Sequence, residues 1–439
     1  MDDPAQFARR LESTQEYGRS ARLALQKERE ADAEALISRP LHQALWNARR
    51  TATEVLRPVA RRILSPILPN FRILQQKLQR PKSYRVRYDG SASDDKPLVL
   101  HLLANFEIGG TPQLVCDIIE FTQGNYRHLV VSKHVPRPAP YQGVDIVDLP
   151  LPLAGGKLRD LIRRHRPALA HVHYWNGMIE DFAWYHSVFR VLKDCGLPVI
   201  ENVNTSGEPY FSEIVNQYVF CSEWSRKASG ADWIPETVVY PGTRLEDFLR
   251  DDLSEVADDK IGMVYRLGGD KIGPNAIEIF IEVMRAIPTS SSLIVGDGDL
   301  VNYFKSRISE EGLDSRTSFT GWVSYERLRQ IYRDLSVFVA PVKDDTFGSV
   351  SVHAMCAGIP VVGFDVGGIP EIVGSNSMLA PPGDVAGMAK IVVDLLNDRE
   401  RRLRIGAENQ RRAKALFSVS AMTDSFGGLY RALLDRPGA

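Results

Sequence analysis

Cysteine is scarce in this chain. The 439 residues include four cysteines, which are scattered and show no paired spacing. Paired cysteines are typical of zinc sites, and closely spaced cysteines are typical of small secreted proteins with a disulfide framework. We therefore expect neither kind of site, and a protein of the reducing cytoplasm. The cysteines are Cys116, Cys195, Cys221 and Cys356.

Long apolar segments are also lacking. The longest uncharged run, Thr346 to Phe364, is interrupted by Gly358 and Pro360, which argues against a membrane span. The N-terminal residues MDDPAQFARR are acidic and lack an apolar core, which predicts that they are not a signal peptide. Both absences favour a cytoplasmic protein.

The chain has little excess charge of either sign. It contains 54 Lys and Arg against 55 Asp and Glu, so we expect no nucleic-acid partner. Residues 41–90 depart from this balance, with eleven Lys or Arg and two Asp or Glu. Within residues 41–80, apolar residues recur every four positions among arginines, at Val55, Val59, Ile63 and Ile67.

Two interpretations of residues 41–80 are open. A basic amphipathic segment can lie on an anionic membrane surface, which would make this a peripheral protein at the inner face of the membrane. The same pattern fits a helix that docks on its own domain with solvated arginines. Pro58, Pro66 and Pro69 exclude one long uninterrupted helix in either case.

Motifs for cofactor and metal binding are missing. No Gly-x-Gly-x-x-Gly follows a predicted strand, which argues against a dehydrogenase. Asp297 and Asp299 belong to a predicted turn, so no Asp-x-Asp stands in a metal-binding context. We therefore expect no cofactor and no metal ligand. His171 and His173 lie at the end of a predicted strand, where histidines are most often structural, and we assign them no catalytic role.

Residues 337–373 contain the most informative pattern. Two short apolar runs that are typical of buried parallel strands are each followed by a glycine-containing loop and a helical segment. The first of these helices is predicted to have Ser349 as its N-cap and to end at Gly358. Both loops fall at the carboxyl ends of strands, where open α/β sheets bind ligands. Two helix N-termini at that edge favour an anion, so we predict a ligand that carries phosphates.

This stretch resembles the donor-site signature of the retaining nucleotide-sugar glycosyltransferases of family 4. That signature is a Glu, seven residues and a second Glu through a Gly-Phe-Gly loop, then Ala-Met, a Gly-x-Pro-Val-Val strand and Gly-Gly-x-Pro-Glu. The chain departs from it where Asp345 and His353 replace the two Glu and Thr346 replaces a Gly. It matches at Phe347, Gly348, Ala354, Met355, Gly358, Pro360, Val361, Val362, Gly367, Gly368, Pro370 and Glu371.

The resemblance covers about residues 97–435 and implies the fold class. It is the α/β GT-B fold, in which two Rossmann-like domains face each other across a cleft, here with a mainly helical N-terminal extension. The predicted regions are the extension and linker (1–95), an acceptor-side domain (96–244), a donor domain (245–418) and a helix that crosses back to the first domain (419–439).

Further residues match other elements of the family. Arg266 and Lys271 resemble the family's Arg and Lys that grip the donor phosphates, and two cations on a glycine loop suit a diphosphate. Gly109 and Gly110 match a loop that faces the diphosphate from the first domain. Asn204 stands where the family has a His near the reacting sugar, and an amide can bond a hydroxyl but cannot act as a base.

The resemblance implies a role for each of these residues. Asp345 would hydrogen-bond the donor sugar, and His353 would meet the ribose. Trp322 would either flank the nucleotide base or simply pack, and we expect it to pack. The predicted catalytic residues are Arg266, Lys271, Asp345 and Asn204. The predicted substrate-binding residues are Gly109, Gly110, Gly296, Phe347, Gly348, Ser349, Val350 and His353.

The predicted function is that of a glycosyltransferase. It would move a sugar from a UDP- or GDP-sugar to a glycan or lipid-linked acceptor, with retention and without a metal. Two alternatives are open. One is an inverting transferase that uses Glu107 as its base, and the other is a non-catalytic subunit or sugar-nucleotide-binding protein.

Overall fold

The computed structural model describes residues 19–35, 84–86, 95–107, 109–136, 139–150, 155–175, 179–203, 208–229 and 233–435. The chain divides into two compact units. The N-terminal unit comprises Met1–Val219, Ser229–Thr237 and Phe426–Ala439, and the C-terminal unit comprises Phe220–Ala228 and Val238–Ser425. Residues 41–80, on which the membrane interpretation depends, lie outside the described stretches.

Residues 19–35 form helix α1, which packs on the N-terminal unit through polar contacts. Gln26 donates to the carbonyl oxygen of Phe211 at 2.7 Å and accepts from its amide at 2.8 Å. Glu34 accepts a hydrogen bond from Nε2 of His186 at 3.0 Å. The predicted helical character of the extension is confirmed for this stretch.

The N-terminal unit is built on a seven-stranded sheet. Its elements are β1 Tyr84–Arg85, β2 Leu98–Asn105, α2 Gly110–Thr122, β3 Arg127–His134, β4 Tyr141–Gln142, β5 Ile146–Asp148, α3 Gly155–His165, β6 Leu169–Tyr174, α4 Ile179–Cys195, β7 Val199–Val203, β8 Val215–Phe220 and β9 Glu236–Val238. Helix α5 Glu223–Ser229 lies between β8 and β9 in the chain, but all of it except Ser229 belongs to the C-terminal unit. The strand order is β5-β3-β2-β6-β7-β8-β9, with parallel pairing from β5 to β7, and β1 pairs separately with β4. Nearly every residue of β2, β6 and β7 is buried, as expected for parallel strands covered on both faces.

The C-terminal unit is built on a six-stranded parallel sheet. Its elements, with the last helix of the chain, are β10 Lys260–Val264, α6 Ala276–Ala286, β11 Ser291–Val295, α7 Val301–Glu310, β12 Thr317–Gly321, α8 Tyr325–Arg333, β13 Val337–Ala340, α9 Ser349–Cys356, β14 Val361–Phe364, α10 Ile369–Val373, β15 Leu379–Ala380, α11 Val385–Asn397, α12 Arg399–Leu416 and α13 Val419–Leu434. The strand order is β12-β11-β10-β13-β14-β15, and every pair is parallel.

The predicted α/β alternation is confirmed in both halves. The short strand β1 and its pairing with β4 were not predicted, because a two-residue strand leaves no periodicity to detect. From Phe426 onward the chain belongs to the N-terminal unit, where Oη of Tyr126 donates to the carbonyl oxygen of Gly427. Within the described stretches, every helix is too short or too polar to cross a bilayer.

Candidate functional site

The strand order of the C-terminal sheet reverses at β10. From β10 the chain continues to β11 and β12 on one side, and it then crosses to β13, β14 and β15 on the other. The parallel neighbours β10 and β13 end at the same edge of the sheet. In open α/β sheets, ligands bind at such a switch point. The loops that follow these two strands are therefore the best place for a site.

Two oppositely charged side chains meet at this switch point. Lys271, in the loop after β10, places Nζ 3.0 Å from Oδ2 of Asp345, in the loop after β13. The main chain also joins the loops, since the Lys343 amide donates to the Lys271 carbonyl oxygen at 3.0 Å. The side chain of Lys271 is 28% exposed and that of Asp345 is 13% exposed. A ligand at this edge can therefore reach both groups.

A glycine pair brings the loop after β14 against Asp345. The Gly368 amide donates to the Asp345 carbonyl oxygen at 2.7 Å. A Cβ atom on Gly367 would lie 2.2 Å from that oxygen, and one on Gly368 would lie 2.6 Å from the carbonyl oxygen of Thr346. Because these distances are far inside van der Waals contact, a side chain at either glycine would displace the loop that carries Asp345.

Helix α9 begins next to this ion pair. Its N-cap is Gly348, with φ +90°, and Ser349 is its first residue, so the prediction of Ser349 as the N-cap is wrong. The loop enters the helix through a left-handed residue, which glycine adopts without strain. Phe347 is buried, Ser349 is exposed and Val350 is half-buried. The Ser351 amide donates to the Gly348 carbonyl oxygen at 2.9 Å, so the amides of Ser349 and Val350 are the ones that this accessible tip offers to a ligand.

The structure does not bring Arg266 to this ion pair. Its guanidinium donates to both carboxylate oxygens of Asp270, at 2.9 Å and 2.5 Å. The Arg266 side chain is 64% exposed, and its hydrogen bonds lower the pKa of Asp270. Of the two predicted phosphate-binding cations, only Lys271 contacts Asp345 in this conformation. A phosphate contact by Arg266 requires its guanidinium to turn away from Asp270.

His353 lies in an aromatic environment on α9. Its ring stacks on Phe248, with centroids 4.1 Å apart and 10° between the planes. The rings of Tyr325 and Tyr332 lie edge-on at 6.2 Å and 5.8 Å. Burial lowers the pKa of His353 to about 3, so the imidazole is neutral at physiological pH. Its Nδ1 atom is buried without a partner among the described residues.

Gly296 lets the turn after β11 approach the end of β10. It has φ +133°, and a Cβ atom there would lie 1.8 Å from the Tyr265 carbonyl oxygen. Its amide donates to the carbonyl oxygen of Gly321 at 3.0 Å. The side chain of Trp322 is 58% exposed, so the expectation that it packs is wrong. The chain leaves the sheet at this point and carries the indole outward.

The remaining predicted residues belong to the N-terminal unit. Gly109 is the N-cap of α2 in an extended conformation, and Gly110 is the first helical residue. The carboxylate of Glu107 is 64% exposed and lies 3.7 Å from Nε2 of His134. Asn204 lies outside the described residues.

Sequence reasoning missed the structural role of Glu371. Its carboxylate accepts from the amides of Glu223 and Trp224, at 2.9 Å and 3.1 Å, and from the Tyr240 hydroxyl at 3.1 Å. It therefore caps the N-terminus of α5. Because α5 lies far upstream of Glu371, the sequence contains no local signal for this contact.

Comparisons with known proteins agree with this geometry. Residues 259–398 match the family model described as glycosyl transferases group 1. The chain is 34% identical over 140 residues to the 2-deoxystreptamine glucosyltransferase of Streptomyces kanamyceticus, which covers 31% of this chain and 36% of that protein. It is also 34% identical over 148 residues to a sulfoquinovosyl transferase of Arabidopsis thaliana, covering 33% and 28% of the two chains. The chain thus spans about a third of the length of these relatives.

Solved structures are similar over a longer range. A glycosyltransferase from Rickettsia africae superposes with a TM-score of 0.65 at 13% identity, over 78% of this chain and all of that one. The Anabaena HepE protein in complex with UDP superposes with a TM-score of 0.63 at 18% identity, over 77% and 100%. These likenesses confirm the predicted α/β fold class with two Rossmann-like domains. Residues 259–398 are therefore similar to the glycosyl transferases group 1 family, in a chain that has the GT-B fold.

Proposed function

We propose that this protein is a glycosyltransferase that uses a nucleotide-sugar donor. The observation that carries the proposal is the contact between Lys271 and Asp345 at the switch point of the C-terminal sheet, next to the N-terminus of α9. The Anabaena neighbour is in complex with UDP, and the Streptomyces relative is named a glucosyltransferase. A UDP-sugar is therefore the first donor to test, with a GDP-sugar as the second.

The site offers what the chemistry of transfer requires. When the bond between the sugar C1 and the phosphate oxygen breaks, negative charge grows on the diphosphate, and preorganised positive potential lowers this barrier. The Lys271 ammonium and the first-turn amides of α9 supply that potential without a metal. The Asp345 carboxylate accepts a hydrogen bond from a sugar hydroxyl and positions the ring for attack.

We propose that the configuration at C1 is retained. The acceptor oxygen attacks C1 on the face from which the diphosphate leaves, and the departing phosphate oxygen takes the acceptor's proton. This route needs no nucleophile or base from the protein. A single anomer with the donor's configuration, seen by NMR of the product, is the expected outcome. The opposite anomer would favour the inverting alternative with Glu107, whose exposed carboxylate is available as a base.

A thermal-shift panel of nucleotides and nucleotide sugars tests donor binding. A ligand at 100 times its Kd stabilises the native state by about 2.7 kcal/mol, so UDP or a UDP-sugar should raise the melting temperature. Lys271→Ala should abolish this shift. Lys390→Ala is the matched control, because Lys390 pairs with Asp394 on the surface of α11 in the same unit. An equal UDP shift in all three proteins would overturn the proposed site.

Turnover separates an enzyme from a binding protein. The replacement of the family's two Glu by Asp345 and His353 is the observation that favours a non-catalytic subunit or sugar-nucleotide sensor. Release of UDP from a UDP-sugar, dependent on an added acceptor, supports the transferase. Donor binding with no release above a blank, for every glycan and lipid-linked acceptor tried, supports the sensor.

The acceptor is proposed to be a glycan or a lipid-linked glycan, with residues 41–80 as a contact to anionic membranes. The carrying observation is the basic, four-residue apolar spacing of that segment. Deletion of residues 1–80 should reduce sedimentation with anionic liposomes. Unchanged sedimentation would remove the membrane contact from the proposal and leave the transferase assignment untouched.

A further inference from the structure

Four histidines lie on one buried face of the N-terminal sheet. His101 is on β2, His128 on β3, and His171 and His173 on β6. His101 is the register partner of His171, and Val99 is the partner of His128. Because alternate residues of a strand share a face, all four side chains point to the same side of the sheet. All four rings are buried.

A directed chain of hydrogen bonds fixes the protons on two of these rings, His128 and His101. The Thr122 hydroxyl donates to the Ile118 carbonyl oxygen at 2.7 Å, so its oxygen accepts from Nε2 of His128 at 3.0 Å. Nδ1 of the neutral His128 ring then accepts from Nε2 of His101, also at 3.0 Å. Nδ1 of His101 is consequently an unprotonated nitrogen, and it faces Nε2 of His173 at 3.1 Å.

Two nitrogens of this cluster lack partners. Nε2 of His171 and Nδ1 of His173 are buried and make no hydrogen bond with any described residue. A buried polar atom without a partner is unfavourable, and a ligand bound by Nε2 of His171 would supply the partner that this atom lacks. His173 faces His101 with its other nitrogen, Nε2.

The nitrogens have the spacing of metal ligands. His101, His171 and His173 each offer one ring nitrogen, and these three atoms lie within 4.8 Å of one another. Nδ1 of His101 and Nε2 of His173 are 3.1 Å apart, against about 3.3 Å between ligands of a tetrahedral zinc with Zn–N bonds of about 2.0–2.1 Å.

Outer partners for two of the rings are already in place. Ligating histidines usually donate their second N–H to a fixed partner, which orients the ring. His101 has Nε2 on His128, and His171 has Nδ1 on the Tyr430 hydroxyl at 2.7 Å. Tyr430 lies on α13, so a metal here would tie the last helix of the chain to β2 and β6.

We propose that His101, His171 and His173 bind one first-row divalent metal ion, with Zn²⁺ as the best match, in a structural site of the N-terminal unit. Imidazole nitrogen favours zinc over magnesium and calcium, which prefer oxygen ligands. The three rings leave one tetrahedral position to a non-protein ligand. The expectation of a metal-free chain came from motifs with local spacing, whereas His101 joins His171 and His173 only through strand pairing.

The test uses untagged full-length protein refolded with Co²⁺, a spectroscopic substitute for Zn²⁺. One equivalent of Co²⁺ with the visible bands of tetrahedral coordination is the expected result. Tyr430→Phe keeps the three ligands, removes the outer partner of His171 and should weaken binding by about 10- to 100-fold. Tyr126→Phe is the matched control, because Tyr126 packs edge-on against Tyr430 and its hydroxyl bonds Gly427 rather than a histidine. Equal affinity in both variants would overturn the proposal.

A measurement on the wild-type protein alone guards against variants that fail to fold. X-ray absorption of the zinc-loaded protein should show three imidazole nitrogens at about 2.0–2.1 Å. Zinc–sulfur scattering at about 2.3 Å would assign the metal to a cysteine, and a refolded protein without bound metal would show that the histidines are hydrogen-bonded core residues. Either result would overturn the site.

Discussion

The side chain of Arg266 adopts a conformation that its position in the sequence did not predict. The sequence places two cations on one glycine loop, yet the structure directs Lys271 to Asp345 and Arg266 to Asp270. Asp270 is the nearest carboxylate, one helical-turn spacing along the chain, and an exposed arginine forms that pair at little cost. The phosphate role of Arg266 therefore depends on whether a donor diphosphate competes with Asp270 for the guanidinium.

Replacement of Arg266 tests that competition. If the guanidinium turns to the donor in the transition state, Arg266→Ala should lower turnover by about 10²–10³, the loss typical of one preorganised electrostatic contact. The melting temperature should not change, because the side chain is exposed. Asp270→Asn is the control, since it releases the guanidinium without removing it and should leave turnover close to wild type. Wild-type turnover in Arg266→Ala would exclude Arg266 from the site.

Glu201 makes the stability of the N-terminal unit depend on pH. Burial raises the pKa of its carboxyl group well above the ordinary value, and one oxygen accepts from the Tyr210 amide at 2.7 Å while the other has no partner among the described residues. The folded state thus holds a proton that the unfolded state has lost above pH 4.5. Stability therefore falls as pH rises above that value, by ~1.4 kcal/mol for each unit of pKa difference that is passed.

Glu201→Gln should remove this dependence. The amide oxygen can still accept from Tyr210, and the side chain has no charge at any pH. We expect the variant to gain stability over the wild type in urea unfolding at pH 8 and much less at pH 5. Glu213→Gln, at an exposed carboxylate paired with Lys193, is the control and should show no such gain. A gain that is the same at both pH values would contradict the assignment.

At the scale of elements, the end of helix α11 depends on a contact from the next helix, α12. Arg402 on α12 is 1% exposed, and its Nη1 donates to the carbonyl oxygens of Leu395 and Leu396 at 3.0 Å and 3.1 Å. These carbonyls end α11, where that of Leu395 also accepts from the Asp398 amide at 3.4 Å. Nη2 donates to Asp258 at 2.8 Å. One guanidinium therefore joins two helices and the loop before β10.

Arg402→Ala should lower the free energy of unfolding by about 3 kcal/mol, because two buried carbonyls lose a charged donor. Arg404→Ala is the matched control on the same helix, where Arg404 is exposed and pairs with Glu408. Chemical unfolding monitored by circular dichroism measures both. Equal losses in the two variants would show that Arg402 does not have the proposed structural role.

The elements themselves were largely predictable from the sequence, and their contacts were not. The two apolar runs predicted within residues 337–373 occur as β13 and β14, each followed by a helix, because a buried run is a local property. The cap at Gly348 was missed because it depends on how the loop enters α9. Lys271 and Asp345 were both assigned to the site from a family pattern. The histidine cluster had no signal in the sequence, because strand pairing is non-local.

At the scale of the whole molecule, the two units have separate apolar cores. One core contains residues of β10 to β15 and the helices around them, and another lies between β2, β3 and α2. The proposed site around Lys271 and Asp345 lies in the C-terminal unit, whereas Gly109 and Gly110 lie in the N-terminal unit. A donor nucleotide bound at Lys271 should therefore stabilise the C-terminal unit directly.

Calorimetry should show whether UDP raises the melting temperature of the C-terminal unit or of the N-terminal unit. UDP at 100 times its Kd should add about 2.7 kcal/mol to the unit that binds it. The transition that UDP raises should be the one that Arg402→Ala lowers, and Glu201→Gln should act on the other. If UDP raises the transition that responds to Glu201→Gln, the donor site has been placed in the wrong half.

Glu371 has a consequence for how such chains are classified. It is an acidic residue that completes the family signature, yet here its oxygens secure the start of a distant helix and a tyrosine hydroxyl. A protein with these contacts would need this carboxylate for stability whether or not it transferred sugars. A match to such a signature therefore reports a shared fold, and a survey that counts matches will include inactive proteins together with active enzymes.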